Sequence, residues 1–291
     1  MTLVRPKPIL RAPIDPPIAR LLWLPALGVP ARKYERLADA LAQRGIAVAL
    51  HEWRGTGDCR WRAGRTADWG YREWLREDVP ASLAHLAREL PPAPLLLGGH
   101  SIGGQHALIA AALGAEAGID AAGGAVSGIV AVGSGVPHWR LFPTLKGRVA
   151  VGGFALALPA LTGLVGHYPG QRLGFAGRES GQLMRDWAQT VRRGCYGGLR
   201  GLPDDLDARM RAVRAPMLGL RFTDDWLVPA ASMDALLERG GGEREHQHLD
   251  TATLGTRADH FAWMREPAVP AGRIAAWWRA RAPLAVPSLS A

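Results

Sequence analysis

Apolar residues along the chain fall into short unbroken runs, separated by segments in which they recur at helical spacing. "IARLLWL" (18–24), "IAVALHEW" (46–53), "LLLGGH" (95–100), "VSGIVAV" (126–132) and "APMLGLRF" (215–222) are such runs. Runs of this length without polar alternation are what a parallel sheet buried on both faces requires. Between the first two, Leu37, Ala38, Leu41 and Ala42 repeat at helical spacing and Gly45 supplies a stop. Strand, helix and strand within roughly thirty residues form a βαβ unit with a right-handed crossover. Further helices are predicted over Tyr71 to about Leu90, ended by Pro91, Pro92 and Pro94, over "QHALIAAAL", over 230–238 and over "AGRIAAWWRARA". "REHQHLDTATL" reads as a more polar last strand. Five prolines within the first 17 residues predict an extended arm or an edge strand there, and the Pro/Ser-containing C-terminal tail is expected to be mobile. The alternation gives an α/β fold: an open, mostly parallel sheet with helices on both faces.

Residues 136 to about 213 break this rhythm, with no strand signal and several helical stretches. They predict an inserted helical cap (136–213) between the N-terminal (1–135) and C-terminal (214–291) parts of one core. Within the insert, residues 149–165 carry no charge. They fall short of the ~20 residues of a spanning helix and are interrupted by Gly152, Gly153 and Pro159. The expectation is a buried or cleft-lining segment and no transmembrane segment.

Composition narrows the partners. A net charge of +9 raises nucleic acid or an anionic membrane as a partner, but only Lys7, Lys33 and Lys146 are lysines and the arginines are scattered, so neither is expected and no basic stripe exists to track a phosphate backbone. Cys59 and Cys195 are far apart and lack metal-ligand spacing, which fits two thiols in a reducing compartment. The N-terminus has charge and proline where a signal peptide needs an apolar core, so a cytoplasmic location is expected. No HExxH or similar pattern is present, and neither a metal nor a cofactor is implied.

The candidate chemistry centres on Gly99-His100-Ser101-Ile102-Gly103, a GxSxG stretch between a strand and a helix. A nucleophile elbow turns through a strained conformation at the serine, so its flanking positions must be small. Gly99 and Gly103 meet that need, and the Ile102 N–H is placed at the positive end of the helix, where it can stabilise an oxyanion. A serine hydroxyl also needs a base and a group that orients it. The strand-following loop "TDDWLVP" offers Asp224 and Asp225, with Asp225 preferred, and "ADHFAW" offers His260. His100 is expected to point away from the nucleophile's side, and His246 and His248 read as surface or core residues. In the insert, Phe154, Leu156, Leu158 and Leu161 either wall an acyl pocket or pack the cap onto the sheet. Glu179 and Asp186 are carboxylates that an aminopeptidase could use to hold an α-amino group.

With these motifs in order, the chain resembles the α/β-hydrolases, in particular bacterial members allied to the serine aminopeptidase and monoglyceride lipase group. "LPALGVPARKYERLADALAQRGIAVALHEWRGTG", "GGHSIGG", "HYPGQRLGF", "RFTDDWLVP" and "DHFAWMR" carry the similarity. The resemblance implies Ser101 as nucleophile, Asp225 as acid and His260 as base, with the N–H groups of Ile102 and Leu27 as oxyanion donors. It implies hydrolysis of a small-molecule carboxylic ester with a hydrophobic acyl group. Amidase or aminopeptidase, thioesterase and acyltransferase chemistry stand as alternatives on the same frame, and a non-catalytic binding protein as another. Two departures stand out: Pro25-Ala26 replaces a His-Gly pair in the oxyanion loop, and Asp259 replaces a glycine, which puts an extra carboxylate beside the histidine. The N-terminal edge of the sheet also looks abbreviated.

Overall fold

In a computed structural model, which describes residues 5–282, nine strands occur in chain order. They are β1 (Ile9–Arg11), β2 (Ala19–Leu24), β3 (Ile46–Leu50), β4 (Leu95–His100), β5 (Val126–Val132), β6 (Tyr168–Pro169), β7 (Arg178–Glu179), β8 (Met217–Phe222) and β9 (Arg244–Leu249). Seven form one sheet in the order β1-β3-β2-β4-β5-β8-β9. Only β1 in that sheet is antiparallel, pairing with β3 at the edge. The proline-rich start therefore yields an edge strand, where missing donors do least harm. The predicted tail, 283–291, lies outside the described residues.

Every residue of β2, β3 and β4 is buried, because helices cover both faces of the sheet. Along β2 the side chains alternate, Leu22 and Leu24 entering one core and Leu21 and Trp23 the other. The polar β9 is the far edge, alternating exposed and half-buried positions until Leu249. The helix expected from Tyr71 to about Leu90 is a helical run with a π turn at Trp74–Asp78 before the helix Val79–Glu89. Pro80, which has no N–H to donate, follows that turn.

Residues 136–213 contain the helices Leu145–Val165, Gly181–Arg193 and Leu206–Ala212. They also contain an antiparallel pair, β6 with β7, which sequence periodicity does not signal because each strand has two residues. The expectation for 149–165 is corrected. Gly152, Gly153 and Pro159 do not interrupt the segment; they lie inside one helix of 21 residues, started by the Thr144 hydroxyl accepting from the Gly147 N–H and ended at Gly166 with φ +83°. Nor is it buried: only Ala155, Leu158 and Thr162 are inaccessible. These lie on one stripe, and Ala155 and Leu158 pack with Met184, Ala188 and Val191 of helix Gly181–Arg193. The helix is long and apolar enough to cross a membrane by length and composition.

Candidate active site

Ser101 stands between β4 and the helix Ile102–Leu113 with φ 56° and ψ −122°, one of two non-glycine residues with positive φ among the described residues. Crowding holds it there. A Cβ on Gly103 would lie 1.9 Å from the Leu24 carbonyl oxygen, and one on Gly99 would lie 2.4 Å from the Gly103 carbonyl carbon. The end of β2 and the start of the helix thus approach more closely than any side chain permits. The Ser101 N–H donates to the Val132 carbonyl, and its own carbonyl accepts from the Ser134 hydroxyl and the Gly104 N–H. The turn is fastened on both sides.

Asp225 and His260 meet although they are 35 residues apart: His260 Nδ1 and Asp225 Oδ2 are 2.7 Å apart, and both residues are buried. Asp225 Oδ1 accepts from the Leu227 and Val228 N–H groups at 3.0 and 3.1 Å, which fixes the carboxylate. Asp224, the alternative, is exposed and its carboxylate touches the Thr251 hydroxyl at 3.4 Å. Burial and the imidazole contact distinguish Asp225 from Asp224. The His260 carbonyl accepts from Trp263 Nε1. Among the hydrogen bonds of the described residues, none joins Ser101 Oγ to His260.

Asp259 does not face the imidazole as a free charge. Its Oδ1 accepts from the Phe261 and Ala262 N–H groups at 2.9 and 2.7 Å, and its Oδ2 pairs with Arg257. Partial burial would raise this carboxyl, but those donors, Arg257 and His260 outweigh it and hold it below the ordinary range. The departure from glycine is a turn cap.

Leu27 and Ile102 carry the expected oxyanion donors. Leu24 pairs with Gly99 in the sheet, so the loop after β2 starts beside the elbow. The next residue, Gly28, has φ +71°, and a Cβ there would lie 2.4 Å from the Gly177 nitrogen, which presses this loop against the segment joining β6 and β7. The replaced His-Gly pair leaves the Ala26 N–H with a partner of its own, the Tyr34 hydroxyl at 3.0 Å.

That hydroxyl leads to a residue the sequence reading set aside. Tyr34 Oη accepts from the Ala26 N–H and lies within hydrogen-bond distance, 2.8 Å, of His100 Nδ1. The His100 ring is fully buried and its centroid is 4.5 Å from that of His260, so it packs against that histidine. Burial first, then the neighbouring His260, push its pKa well below the usual histidine range. Tyr34 and His100 therefore join the loop after β2 to the flank of His260. Their only sequence signal is a tyrosine at the start of one helix and a histidine inside the elbow. His246 and His248 are surface residues, beside Asp234 and Thr223.

The residues expected to wall an acyl pocket separate. Leu158 is inaccessible, Leu161 packs in the same cluster, and Leu156 is 66% exposed on the outer surface. Phe154 meets Tyr168, Phe175 and Trp187 edge to face. Leu27 also packs against the cluster of Ala155, Leu158 and Tyr168. An open cleft of about 1050 Å³ abuts His260 and is lined by Gly28, Trp226, Leu227 and Phe261, but by neither Ser101 nor any residue of the insert. Glu179 and Asp186 are both buried; Glu179 accepts from the Gly177 N–H, and Asp186 from the Tyr71 N–H and Gln182. Among the described residues no cluster of ligating side chains fits a metal.

Three solved structures share the fold. Metagenome-derived lipolytic enzymes described as LipS and LipT give a TM-score of 0.63 at 16% identity, over 96% of this chain and 100% of theirs. A monoacylglycerol lipase of Paleococcus ferrophilus gives 0.59 at 17%, over 94% and 99%. The type II thioesterase BorB of the borrelidin cluster gives 0.51 at 20%, over 92% and 96%. No curated protein matches the chain in sequence. The profile of the family described as serine aminopeptidase, S33, matches residues 15–170, more than half of the chain and the stretch that contains the elbow. With that match on a seven-stranded sheet of this order, the protein belongs to the serine aminopeptidase S33 family of α/β-hydrolases.

Proposed function

We propose that the protein is a serine hydrolase that cleaves a carboxylic ester with a hydrophobic acyl group through an acyl-enzyme, in the cytoplasm and without a cofactor. The observation that carries this reading is the strained backbone of Ser101, a cost of about 1–3 kcal/mol that persists only where its surroundings enforce it. Such a turn lifts the hydroxyl clear of its own helix.

In the proposed reaction Ser101 Oγ attacks the ester carbonyl while His260 Nε2 takes its proton. Asp225 Oδ2 accepts from Nδ1–H, which leaves the lone pair on Nε2 and stabilises the imidazolium as it forms. The N–H groups of Leu27 and Ile102 receive the developing oxyanion. His260 then returns the proton to the leaving alcohol, and water repeats the sequence on the acyl-enzyme. Leu27 packs on the same apolar cluster as Phe154, Phe175 and Trp187, which supports a hydrophobic acyl group at this edge. An aminopeptidase needs a cap carboxylate free to bind an α-amino group. Glu179 and Asp186 are occupied by backbone donors, which favours the ester.

The test is labelling by a fluorophosphonate probe, followed by turnover of p-nitrophenyl esters of increasing acyl length. Ser101→Ala is expected to abolish labelling and lower kcat/KM roughly a millionfold. Wild-type turnover in that variant, or an unlabelled folded wild-type protein, rules the assignment out.

A further inference from the structure

The helix Leu145–Val165 inverts the usual arrangement of a surface helix, which buries apolar residues and exposes polar ones. Its packed stripe contains the small residue Ala155 and the polar Thr162, whereas Leu145, Val149, Leu156 and Leu164 are 76, 64, 66 and 77% exposed. The spacing of 145, 149, 156, 160 and 164 places these leucines, the valine and Ala160 on one side, away from the stripe that meets helix Gly181–Arg193. Leu173, 53% exposed, follows just beyond the helix end. A contiguous apolar surface of this kind marks an interaction site.

Its charge says which. From residue 121 to residue 178 the chain has no aspartate or glutamate, and the first acid after that, Glu179, is buried. The same stretch carries Arg140, Lys146, Arg148, Arg172 and Arg178, all exposed, and none forms a salt bridge among the described residues. Two of the five lie in the first turn of the helix. A second copy of this face would bring these cations together without counter-charge. Acidic side chains of a partner protein would satisfy the cations, but the leucines would need in addition an apolar face as long as the helix. A surface of anionic phospholipid satisfies both: acyl chains take the leucines, and phosphates take the rim.

We propose that the outer face of helix Leu145–Val165, with the basic residues around it, docks the protein on an anionic lipid surface, the helix lying along the plane of the headgroups. The docking does not depend on the reaction proposed for Ser101. It adds that the insert meets the lipid phase in which an ester with a long acyl chain resides.

The experiment is vesicle co-sedimentation of the full chain carrying Ser101→Ala, so that no lipid is consumed, on phosphatidylcholine alone and on phosphatidylcholine mixed with phosphatidylglycerol. Binding is expected on the mixed vesicles, weaker on phosphatidylcholine, and falling as salt is added. Lys146→Glu/Arg148→Glu is expected to weaken it at least about tenfold, from roughly a fivefold loss per cation removed. Leu156→Glu/Leu164→Glu is expected to do the same, with unchanged circular dichroism and melting temperature because both positions are exposed. No binding to either vesicle overturns the proposal, as does binding that both folded double variants retain. So does a dimer in analytical ultracentrifugation that Leu156→Glu/Leu164→Glu dissociates while vesicles leave it intact. Because binding is read on the Ser101→Ala chain, failure of the ester reaction and failure of docking are separate results.

Discussion

Asp224 and Asp225 are neighbours in sequence with the same side chain, and their environments differ. Asp225 is buried, with one oxygen on two backbone N–H groups and the other on His260. Asp225→Asn preserves the shape but offers the imidazole an amide that stabilises the wrong tautomer. A fall in kcat of about ten-thousandfold is expected. Asp224→Asn, at an exposed position, is expected to change kcat by less than about threefold. Steady-state kinetics of the two variants on one soluble ester decides it, and equal losses would mean that the Asp225 contact is not used. The candidate nucleophile, acid and base were all legible as residue types in chain order. Tyr34 and His100 were not, because their partnership is a through-space contact across 66 residues with no motif of its own.

At the scale of elements, the elbow works because β2 ends against the helix it does not lead into. Gly103 sits on the helix Ile102–Leu113, yet what forbids a side chain there is the Leu24 carbonyl at the end of β2. Gly103→Ala therefore forces two backbones apart. It is expected to cost about 3 kcal/mol or more and to lower labelling of Ser101 by the fluorophosphonate probe even under conditions where the variant is folded. Urea denaturation and labelling, measured side by side, check this; wild-type values in both would mean that the close approach is absent. The GxSxG spacing implied a need for small residues, while the atom they make room for belongs to a distant strand. Helix Leu145–Val165 teaches the converse. Glycines and a proline predict interruption on local propensity, but a packed stripe against helix Gly181–Arg193 and caps at Thr144 and Gly166 hold one continuous helix.

At the scale of the whole molecule, buried acids at Glu179 and Asp186 link stability to pH. Burial pushes the Glu179 carboxyl up to about 7 despite the Gly177 N–H, and that of Asp186 up to about 6 despite its donors. A carboxyl whose folded pKa is raised holds its proton more tightly when folded. Its contribution is complete below the unfolded value of 4.5 for Glu179 and is lost as pH rises through about 7. Glu179→Gln removes this dependence. The variant is expected to match the wild type near the acid end and to exceed it at pH above about 7 by on the order of 3 kcal/mol. Thermal melts of both proteins across that range test it, and parallel curves would show that Glu179 is not buried as described. The sheet, its strand order of appearance, the elbow and the late aspartate and histidine follow from local patterns, since apolar runs, helical spacing and GxSxG are properties of adjacent residues. Which aspartate meets the histidine, what crowds Ser101 into its turn, which side of the long apolar helix faces water and which carboxyls are pushed up by burial depend on contacts between segments far apart in the chain. Those contacts exist only once the layers pack, and no local pattern encodes them.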